Sequence, residues 1–248
     1  MGLADIVTGQ AFRPPRMIIY GPPGVGKTTF ASKAPKPIFI QCEEGADVVG
    51  AARFPISTTY EEVLDNIDAL MHEQHDYQTV VIDSIDWLQP MLNQSVCQAN
   101  KWESIDAPQY QVGYYAAERT WRTFCTKLSN LRDAKKMITI LIGHPEVKRF
   151  VAPDQEPYDR YQIKIHRLAS GVVTEHSDLI GFANFRTQTK EVDLGFNRKA
   201  SRAIATGERV LYTQARPAFI AKSRYPIPDE INFEWSAFEA ALTPQKGD

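Results

Sequence analysis

The sequence predicts an α/β domain whose sheet is mostly parallel and twisted, with helices on both faces and antiparallel strands towards the C-terminus. Two observations predict this class. Short apolar runs alternate with stretches of helical period along the 248 residues. One of these runs also ends in a glycine-rich loop that leads directly into a helix. We expect residues 1–16 to be a lead segment and residues 17–248 to be a single domain.

The first predicted strand and the loop after it form one motif. Met17–Tyr20 is an apolar run, and residues 21–28, GPPGVGKT, match the pattern G-x-x-x-x-G-K-[ST] in full. Glycines let backbone N–H groups turn towards phosphates, Lys27 adds a positive charge, and the Thr28 hydroxyl suits Mg²⁺. The sequence therefore predicts a site for ATP and Mg²⁺. Its predicted residues are Gly21, Pro22, Pro23, Gly24, Val25, Gly26, Lys27, Thr28 and Thr29.

The second motif is an acidic residue at the end of a predicted buried strand. Residues 79–83, TVVID, place Asp83 at a strand end about 55 residues after the loop. Such a carboxylate typically holds Mg²⁺ in P-loop proteins, although Asp83 could instead cap the helix that begins at Ile85. AAA+ ATPases usually place a Glu directly after this Asp to orient the attacking water. This chain has Ser84 there, which argues against the AAA+ branch and predicts that the base lies elsewhere.

The strand predicted over Pro37–Gln41 supplies the candidate base. It is followed by Glu43 and Glu44, at the sheet edge that we expect to face the terminal phosphate. Glu43 is the predicted base, with Glu44 as the substitute. The alternative is that both belong to a solvated turn or a helix N-terminus.

The remaining elements complete the predicted sheet. Helical spacing predicts helices over Tyr60–His75 and Trp121–Ala134, and Met137–Ile142 is a fully apolar strand. Beyond Ser177, the stretches SDLIGFANFRTQTKEVDLGF and ERVLYTQARPAFIAKSRYPIP predict antiparallel strands that extend the sheet. Trp235–Leu242 predicts a closing helix.

Three features together resemble the RecA family. Glu43 follows a Phe-Ile run, Gly143-His144 ends an apolar strand, and Lys222-x-Arg224 lies just past a strand. The chain resembles a core-only RecA-fold ATPase, and most of all the phage-encoded ATP-binding proteins of the Sak group, over most of residues 17–226. The resemblance implies that Glu43 is the base and that His144 senses the γ-phosphate. It also implies that Lys222 and Arg224 act on a neighbouring subunit's nucleotide.

Each of these roles has a structural alternative. His144 could be a satisfied buried histidine, and two cations spaced two apart could simply mark an exposed strand face. His166, Glu175, His176 and Asp178 could suggest a metal site, but their spacing fits no usual zinc pattern, so we interpret them as structural.

RecA-type proteins bind single-stranded DNA with two loops, and two segments fit that role. The first is Gln94–Tyr115, where aromatic rings could stack on bases. The second is Glu146–Arg167, which mixes cations with aromatic residues. The alternative is that the tyrosines pack on the sheet or a neighbouring subunit. The candidate DNA contacts are Trp102, Tyr110, Tyr114 and Tyr115 in the first segment, and Lys148, Arg149, Phe150, Tyr158, Arg160, Tyr161, Lys164 and Arg167 in the second.

Composition and charge set the class of function. The formal net charge is −2, but residues 101–248 hold 22 Lys and Arg against 18 Asp and Glu, so the second half is where a polyanion could bind. The alternative is that this mild excess marks an ordinary solvated surface. Three widely spaced cysteines predict reduced thiols. No run approaches 18 apolar residues, so we expect a cytoplasmic protein with no membrane partner.

The expected function is therefore a DNA-stimulated ATPase that acts on single-stranded DNA in annealing or strand loading. Its expected partners are further copies of itself, in a ring or filament, and a single-strand-binding protein is a candidate. One alternative is an AAA-type helicase loader or remodelling ATPase. A small-molecule P-loop kinase is the other, although it would need an Arg-rich lid, and none stands out.

Overall fold

The computed structural model describes residues 13–45, 49–153, 155–193 and 199–242, which form eleven strands and six helices. The strands are β1 (Arg16–Tyr20), β2 (Pro37–Gln41), β3 (Ala52–Arg53), β4 (Thr79–Asp83), β5 (Ile138–Gly143), β6 (Pro145–Ala152), β7 (Gln155–Ile163), β8 (Leu179–Asp193), β9 (Lys199–Tyr212), β10 (Lys222–Ser223) and β11 (Glu230–Asn232). The helices are α1 (Lys27–Ser32), α2 (Tyr60–His72), α3 (Ile85–Asn100), α4 (Val112–Lys135), α5 (Arg167–His176) and α6 (Trp235–Leu242).

Nine strands form the main sheet. Its order is β11-β9-β8-β1-β5-β4-β2-β3, with β10 paired to β8. Six neighbouring strands run parallel to one another: β8, β1, β5, β4, β2 and β3. The remaining strands of this sheet, β9, β10 and β11, make antiparallel pairs. The predicted fold class is therefore confirmed. β6 and β7 form a separate two-stranded antiparallel ribbon.

Side chains alternate between two cores on opposite faces of the sheet. Ile18 and Tyr20 of β1 point into one core, which α2, α3, α4 and α5 cover. Met17 and Ile19 point into the other, which α1 and α6 cover. Phe30 of α1 stacks on Phe233 there, with ring centroids 4.7 Å apart. Because both faces are buried, the central strands are mostly apolar, with Thr79 and Thr139 as buried polar exceptions.

The sequence located most elements, with three corrections. The helix predicted from Trp121 begins at Val112, because the preceding turn already buries Gly113 and Ala116. β8 was expected to be antiparallel, but it runs parallel to β1, and only its partner β9 is antiparallel to it. The segment Gln94–Tyr115, predicted as a loop, is mostly helical, since α3 extends to Asn100, a 3-10 turn covers Gln109–Gln111 and α4 begins at Val112.

One buried hydroxyl joins the central strand to the end of the domain. Tyr20 Oη donates to Ile220 O at 2.7 Å and accepts from Ile220 N at 3.0 Å. Ile220 lies two residues before β10. The last residue of β1 is therefore fastened to the segment that carries Lys222 and Arg224.

None of the helices in the described parts of the chain combines the length and the apolar character that crossing a bilayer requires.

Candidate functional site

The glycine-rich loop lies at the carboxyl edge of the parallel strands, directly after β1. A Cβ on Gly21 would come 2.1 Å from Ala183 O of β8, so only glycine fits where the loop leaves the sheet. Gly26 has φ 100° and is the N-cap of α1, a left-handed conformation that favours glycine. The loop can therefore present successive backbone N–H groups to an anion.

Lys27 is the cation of this loop, and its side chain is nearly buried. Its Nζ donates to Gly21 O at 2.8 Å and to Pro22 O at 3.3 Å. Burial lowers the pKa of Lys27, whereas the charges of Asp83, Asp86 and Glu43 oppose that shift. The ammonium thus lies among carboxylates, next to the backbone that would hold phosphates.

Thr28 and Asp83 meet as the sequence predicts. Thr28 Oγ1 donates to Asp83 Oδ2 at 2.9 Å. Burial raises the pKa of Asp83 to about 6, while the hydrogen bond from Thr28 lowers it. A buried carboxylate and a hydroxyl are oxygen donors of the kind that Mg²⁺ prefers, so these two residues fit the metal. When bound, Mg²⁺ would neutralise phosphate charge.

Glu43 lies on the other side of this carboxylate. Ser84 Oγ donates to Glu43 Oε1 at 2.5 Å, which ties the strand end of β4 to the end of β2. The side chain of Glu43 is 23% exposed, so the carboxylate can still reach water. Glu44 also borders the cavity but is exposed. The arrangement favours Glu43 as the group that orients a water.

His144 is held between two carboxylates at the end of β5. Its Nδ1 lies 3.0 Å from Asp86 Oδ2 and 3.9 Å from Glu43 Oε1, and its backbone N–H donates to Asp86 Oδ1 at 3.1 Å. Burial alone would raise the pKa of Asp86, but the hydrogen bonds and charge of His144 outweigh it and lower that pKa. His144 is therefore fixed beside the predicted base.

These groups line one cavity of about 330 Å³. Its lining includes Gly24, Lys27, Thr28, Glu43, Glu44, Asp83 and His144. A larger cavity, of about 630 Å³, lies at the opposite edge of the sheet, between Pro14 and Trp235. Its surface is mainly apolar and holds none of the predicted site residues. We place the site in the smaller cavity because the phosphate loop and the acidic groups converge there.

Lys222 and Arg224 lie at the amino edge of the sheet, away from the loop of their own chain. β10 pairs with the start of β8, where Ser223 faces Leu179. Lys222 Nζ donates to Thr174 O at 2.7 Å, and Arg224 Nη1 lies 2.9 Å from Asp178 Oδ1. The two cations therefore do not act on the nucleotide site of their own chain.

Asp178 is the centre of an arginine cluster at this amino edge. It pairs with Arg16 at 2.9 Å and Arg132 at 3.4 Å as well as with Arg224. Burial would raise the pKa of Asp178, but the hydrogen bonds and charge of Arg16 lower it below its ordinary value. Asp178 thus has the structural role that we expected.

The second candidate DNA segment forms the β6–β7 ribbon, which begins at Pro145, directly after His144. Cross-strand register places Lys148 opposite Arg160, and Phe150 opposite Tyr158, on one face. Arg160 lies over the Phe150 ring at 4.9 Å. Arg149 lies on the other face, opposite Asp159, and Lys164 follows the ribbon and is exposed.

The other face of the ribbon anchors it to the domain. Tyr161 stacks on Phe182 with ring centroids 5.3 Å apart, and its N–H donates to Ala218 O. Tyr161 therefore packs on the domain through one ring face, although it is 37% exposed.

The first candidate DNA segment meets the end of the second. The Tyr114 ring stacks on His166 with centroids 4.0 Å apart, so one face of that ring is already covered. Arg167 Nη2 donates to Gln111 Oε1 at 3.0 Å. Tyr110 is 89% exposed, and Tyr115 is also exposed, whereas Trp102 packs against the core. Tyr110 and Tyr115 remain the open aromatic residues of this segment.

The sequence did not identify Asp86 or the role of Ser84. The sequence offers one hint of a role for Asp86: it is an acidic residue in the first turn of the helix that follows the predicted metal-binding carboxylate, Asp83. Its partner, His144, is 58 residues away, a separation that no local pattern reveals. Ser84 was read only as a missing glutamate, although its hydroxyl holds Glu43.

The fold and this cavity define a P-loop nucleotide-binding domain. A family model described as an AAA domain matches residues 13–225, and the chain belongs to this family. Such a domain implies nucleotide binding and, in general, ATP hydrolysis, usually with Mg²⁺. The family's description differs from our expectation that Ser84 argues against the AAA+ branch. No curated protein matches the chain.

Proposed function

We propose that this P-loop ATPase acts on single-stranded DNA in homologous recombination, by annealing or strand loading, and that DNA stimulates its hydrolysis of ATP. A phage origin and assembly into a ring or filament belong to the same proposal, as does a single-strand-binding protein as a candidate partner. The observation that carries it is the continuity between His144 and the β6–β7 ribbon, whose first residue is Pro145.

That continuity would let a bound strand affect the nucleotide site. Lys164 N donates to His144 O at 2.9 Å, so the end of the ribbon as well as its start is fastened to His144. A strand that shifted the ribbon would move His144, and with it the hydrogen bond to Asp86 beside Glu43.

The chemistry of the ribbon suits a single strand. Lys148 and Arg160 can contact phosphates, while Phe150 and Tyr158 offer rings 5.4 Å apart on the same face. Exposed Tyr110 lies in the adjoining segment, which the contacts of Tyr114 with His166 and of Gln111 with Arg167 join to the ribbon's end. Together the two segments offer one surface rather than two separate loops.

One observation favours a second candidate function. The family description, an AAA domain, suits a helicase loader or another remodelling ATPase. In that case the ribbon would contact a protein partner, and single-stranded DNA alone would not change hydrolysis.

The test compares steady-state ATP hydrolysis with and without single-stranded DNA. We expect stimulation in the wild type and its loss in Lys148→Ala, Arg160→Ala, with basal hydrolysis kept, because neither residue lines the cavity. DNA binding should weaken, and its logarithmic salt slope should fall by about 0.7 for each lost phosphate contact.

The matched control is Lys33→Ala, Lys36→Ala, which removes the same charge from exposed positions at the far end of α1. Equal losses in both double variants would indicate a general charge effect. A wild type that hydrolyses ATP at one rate with and without DNA would contradict the proposed function in favour of the protein-remodelling alternative.

A further inference from the structure

A cation that the sequence did not single out lies against the phosphate loop. The position that a Cβ on Gly26 would take is 2.7 Å from Arg209 Nη1. Arg209 belongs to β9, which reaches the loop because β8 packs directly against β1 and β9 pairs with β8. Glycine at position 26 therefore leaves space for a guanidinium, as well as permitting the backbone turn.

The surroundings leave this guanidinium available to a ligand. Its sequence neighbour Glu208 pairs with Arg186 at 3.1 Å. Across the described parts of the chain, Arg209 forms no ion pair with a carboxylate, and its side chain is exposed. Five N–H donors beside a phosphate-binding loop suit an anionic oxygen.

Sheet order determines which part of the nucleotide it would meet. Asp83 ends β4 and Glu43 follows β2, and both strands lie on the β5 side of β1. Arg209 lies on the β8 side of β1, so the loop separates it from the groups at the γ-phosphate. A polyphosphate bound along the loop, with its γ end at Asp83 and Glu43, would bring its opposite end, the α-phosphate, nearest to Arg209.

We propose that Arg209 is a nucleotide-binding residue that donates to the α-phosphate in cis. This inference rests on the ATP-binding part of the proposed function and not on DNA. Because the contact is the same before and after hydrolysis, it contributes to binding ADP and ATP alike and leaves the chemical step unchanged.

The experiment measures nucleotide affinity by titration calorimetry, and kcat with KM, for wild type, Arg209→Gln and Arg209→Lys. We expect Arg209→Gln to lower the affinity for ADP about 10-fold and to raise the KM for ATP about 10-fold, while kcat stays the same. Arg209→Lys, which keeps the charge, should recover part of that loss. The affinities for GDP and CDP should fall by the same factor as the affinity for ADP, because a contact with a phosphate does not depend on the base.

The matched control is Arg216→Gln, another exposed arginine, which pairs with Glu230 at 3.2 Å and lies over the Tyr212 ring. Thermal unfolding without nucleotide confirms that each variant is folded. ADP affinity that is unchanged in Arg209→Gln, or weakened equally in Arg216→Gln, would overturn the inference. So would a loss that falls mainly on kcat, or one that differs between bases.

These outcomes are separate from a failure of the proposed function. A wild type that binds ADP but does not respond to DNA leaves the role of Arg209 fully testable. A wild type that binds no nucleotide overturns both.

Discussion

The two edges of the parallel sheet carry opposite charge balances. At the carboxyl edge, Lys27 lies among the carboxylates of Asp83, Asp86 and Glu43. At the amino edge, Asp178 pairs with Arg16, Arg132 and Arg224, and Arg132 also pairs with Asp133. The pKa values differ for different reasons, because burial raises that of Asp83 to about 6, whereas the hydrogen bonds and charge of Arg16 lower that of Asp178.

The difference suggests complementary roles. The carboxyl edge has negative charge in excess, so a divalent cation would stabilise it when phosphates also bind. The amino edge has positive charge in excess, and the side chain of Arg224 is 54% exposed although it is paired. The exposed part of the Arg224 guanidinium could also meet the anion of another molecule. The RecA resemblance implies such a role for Lys222 and Arg224 at the nucleotide of an adjacent subunit.

The largest effect expected is from the amino edge. Lys222→Ala, Arg224→Ala protein should bind ATP through its own loop and yet hydrolyse it about 10³- to 10⁵-fold more slowly, because the charge that stabilises phosphoryl transfer in trans is lost. Lys27→Ala protein should be inactive because it does not bind nucleotide. Mixing the two should restore part of the activity, as some interfaces would join a sound loop to sound cations.

Light scattering should confirm that mixed assemblies form in that experiment. Background activity at every mixing ratio, in confirmed mixed assemblies, would break the comparison. The two edges would then be unrelated charge clusters.

The next effect concerns the base at the carboxyl edge. Glu43→Gln should bind ATP normally and hydrolyse it about 10²- to 10⁴-fold more slowly, because an amide cannot accept a proton from water. Glu44→Gln is the matched comparison, since it makes the same change one residue along at an exposed position. Single-turnover hydrolysis measures both. If Glu44→Gln hydrolysed ATP slowly and Glu43→Gln did so at the wild-type rate, the base would be Glu44 and not Glu43.

A stability measurement tests the amino edge alone. Asp178→Asn removes the carboxylate that pairs with Arg16 and Arg224, so the free energy of unfolding at pH 7 should fall by about 2 kcal/mol. The pKa of Asp178 is lowered in the folded state, so its stabilisation is present above about pH 4 and disappears as the pH falls through the folded value. Urea unfolding should show the wild type and variant converging below that pH. A constant difference down to pH 2 would show that the effect is not electrostatic.

The smallest effect sharpens the account of Glu43. Ser84→Ala removes the hydroxyl that donates to Glu43 Oε1, so the carboxylate is held less firmly. One hydrogen bond from a neutral hydroxyl to a charged carboxylate corresponds to a decrease in kcat of about 10-fold, with the KM for ATP kept. Steady-state kinetics with Ser84→Thr, which keeps the hydroxyl, provide the control. A loss in both variants would point to packing rather than to the hydrogen bond.

Local patterns predicted the parts of the site that are close in sequence. The loop from Gly21 to Thr28 and the strand ending at Asp83 could be recognised because their chemistry lies in consecutive residues. The pairing of His144 with Asp86, and the contact of Arg209 with Gly26, depend on which strands are neighbours. Apolar periodicity locates strands but does not give their order.

The same limit explains the errors in the fold. Alternation along the strand after Asp178 is identical whether it pairs parallel or antiparallel, so its direction relative to β1 could not be read. The RecA resemblance predicted a loop over Gln94–Tyr115, but α3 and α4 extend into that segment and bury residues such as Val96 and Gly113 there.

The hydroxyl of Tyr20 connects the two edges through the chain itself. Tyr20 lies immediately before Gly21 of the phosphate loop. Its hydroxyl forms hydrogen bonds with the backbone O and N–H of Ile220, two residues before Lys222. If subunits stack so that Lys222 and Arg224 reach the nucleotide of the next subunit, ATP bound at one site would change hydrolysis at the adjacent site through this hydrogen-bonded link. Hydrolysis would then depend on ATP concentration with a Hill coefficient above one, and Tyr20→Phe would bring that coefficient closer to one.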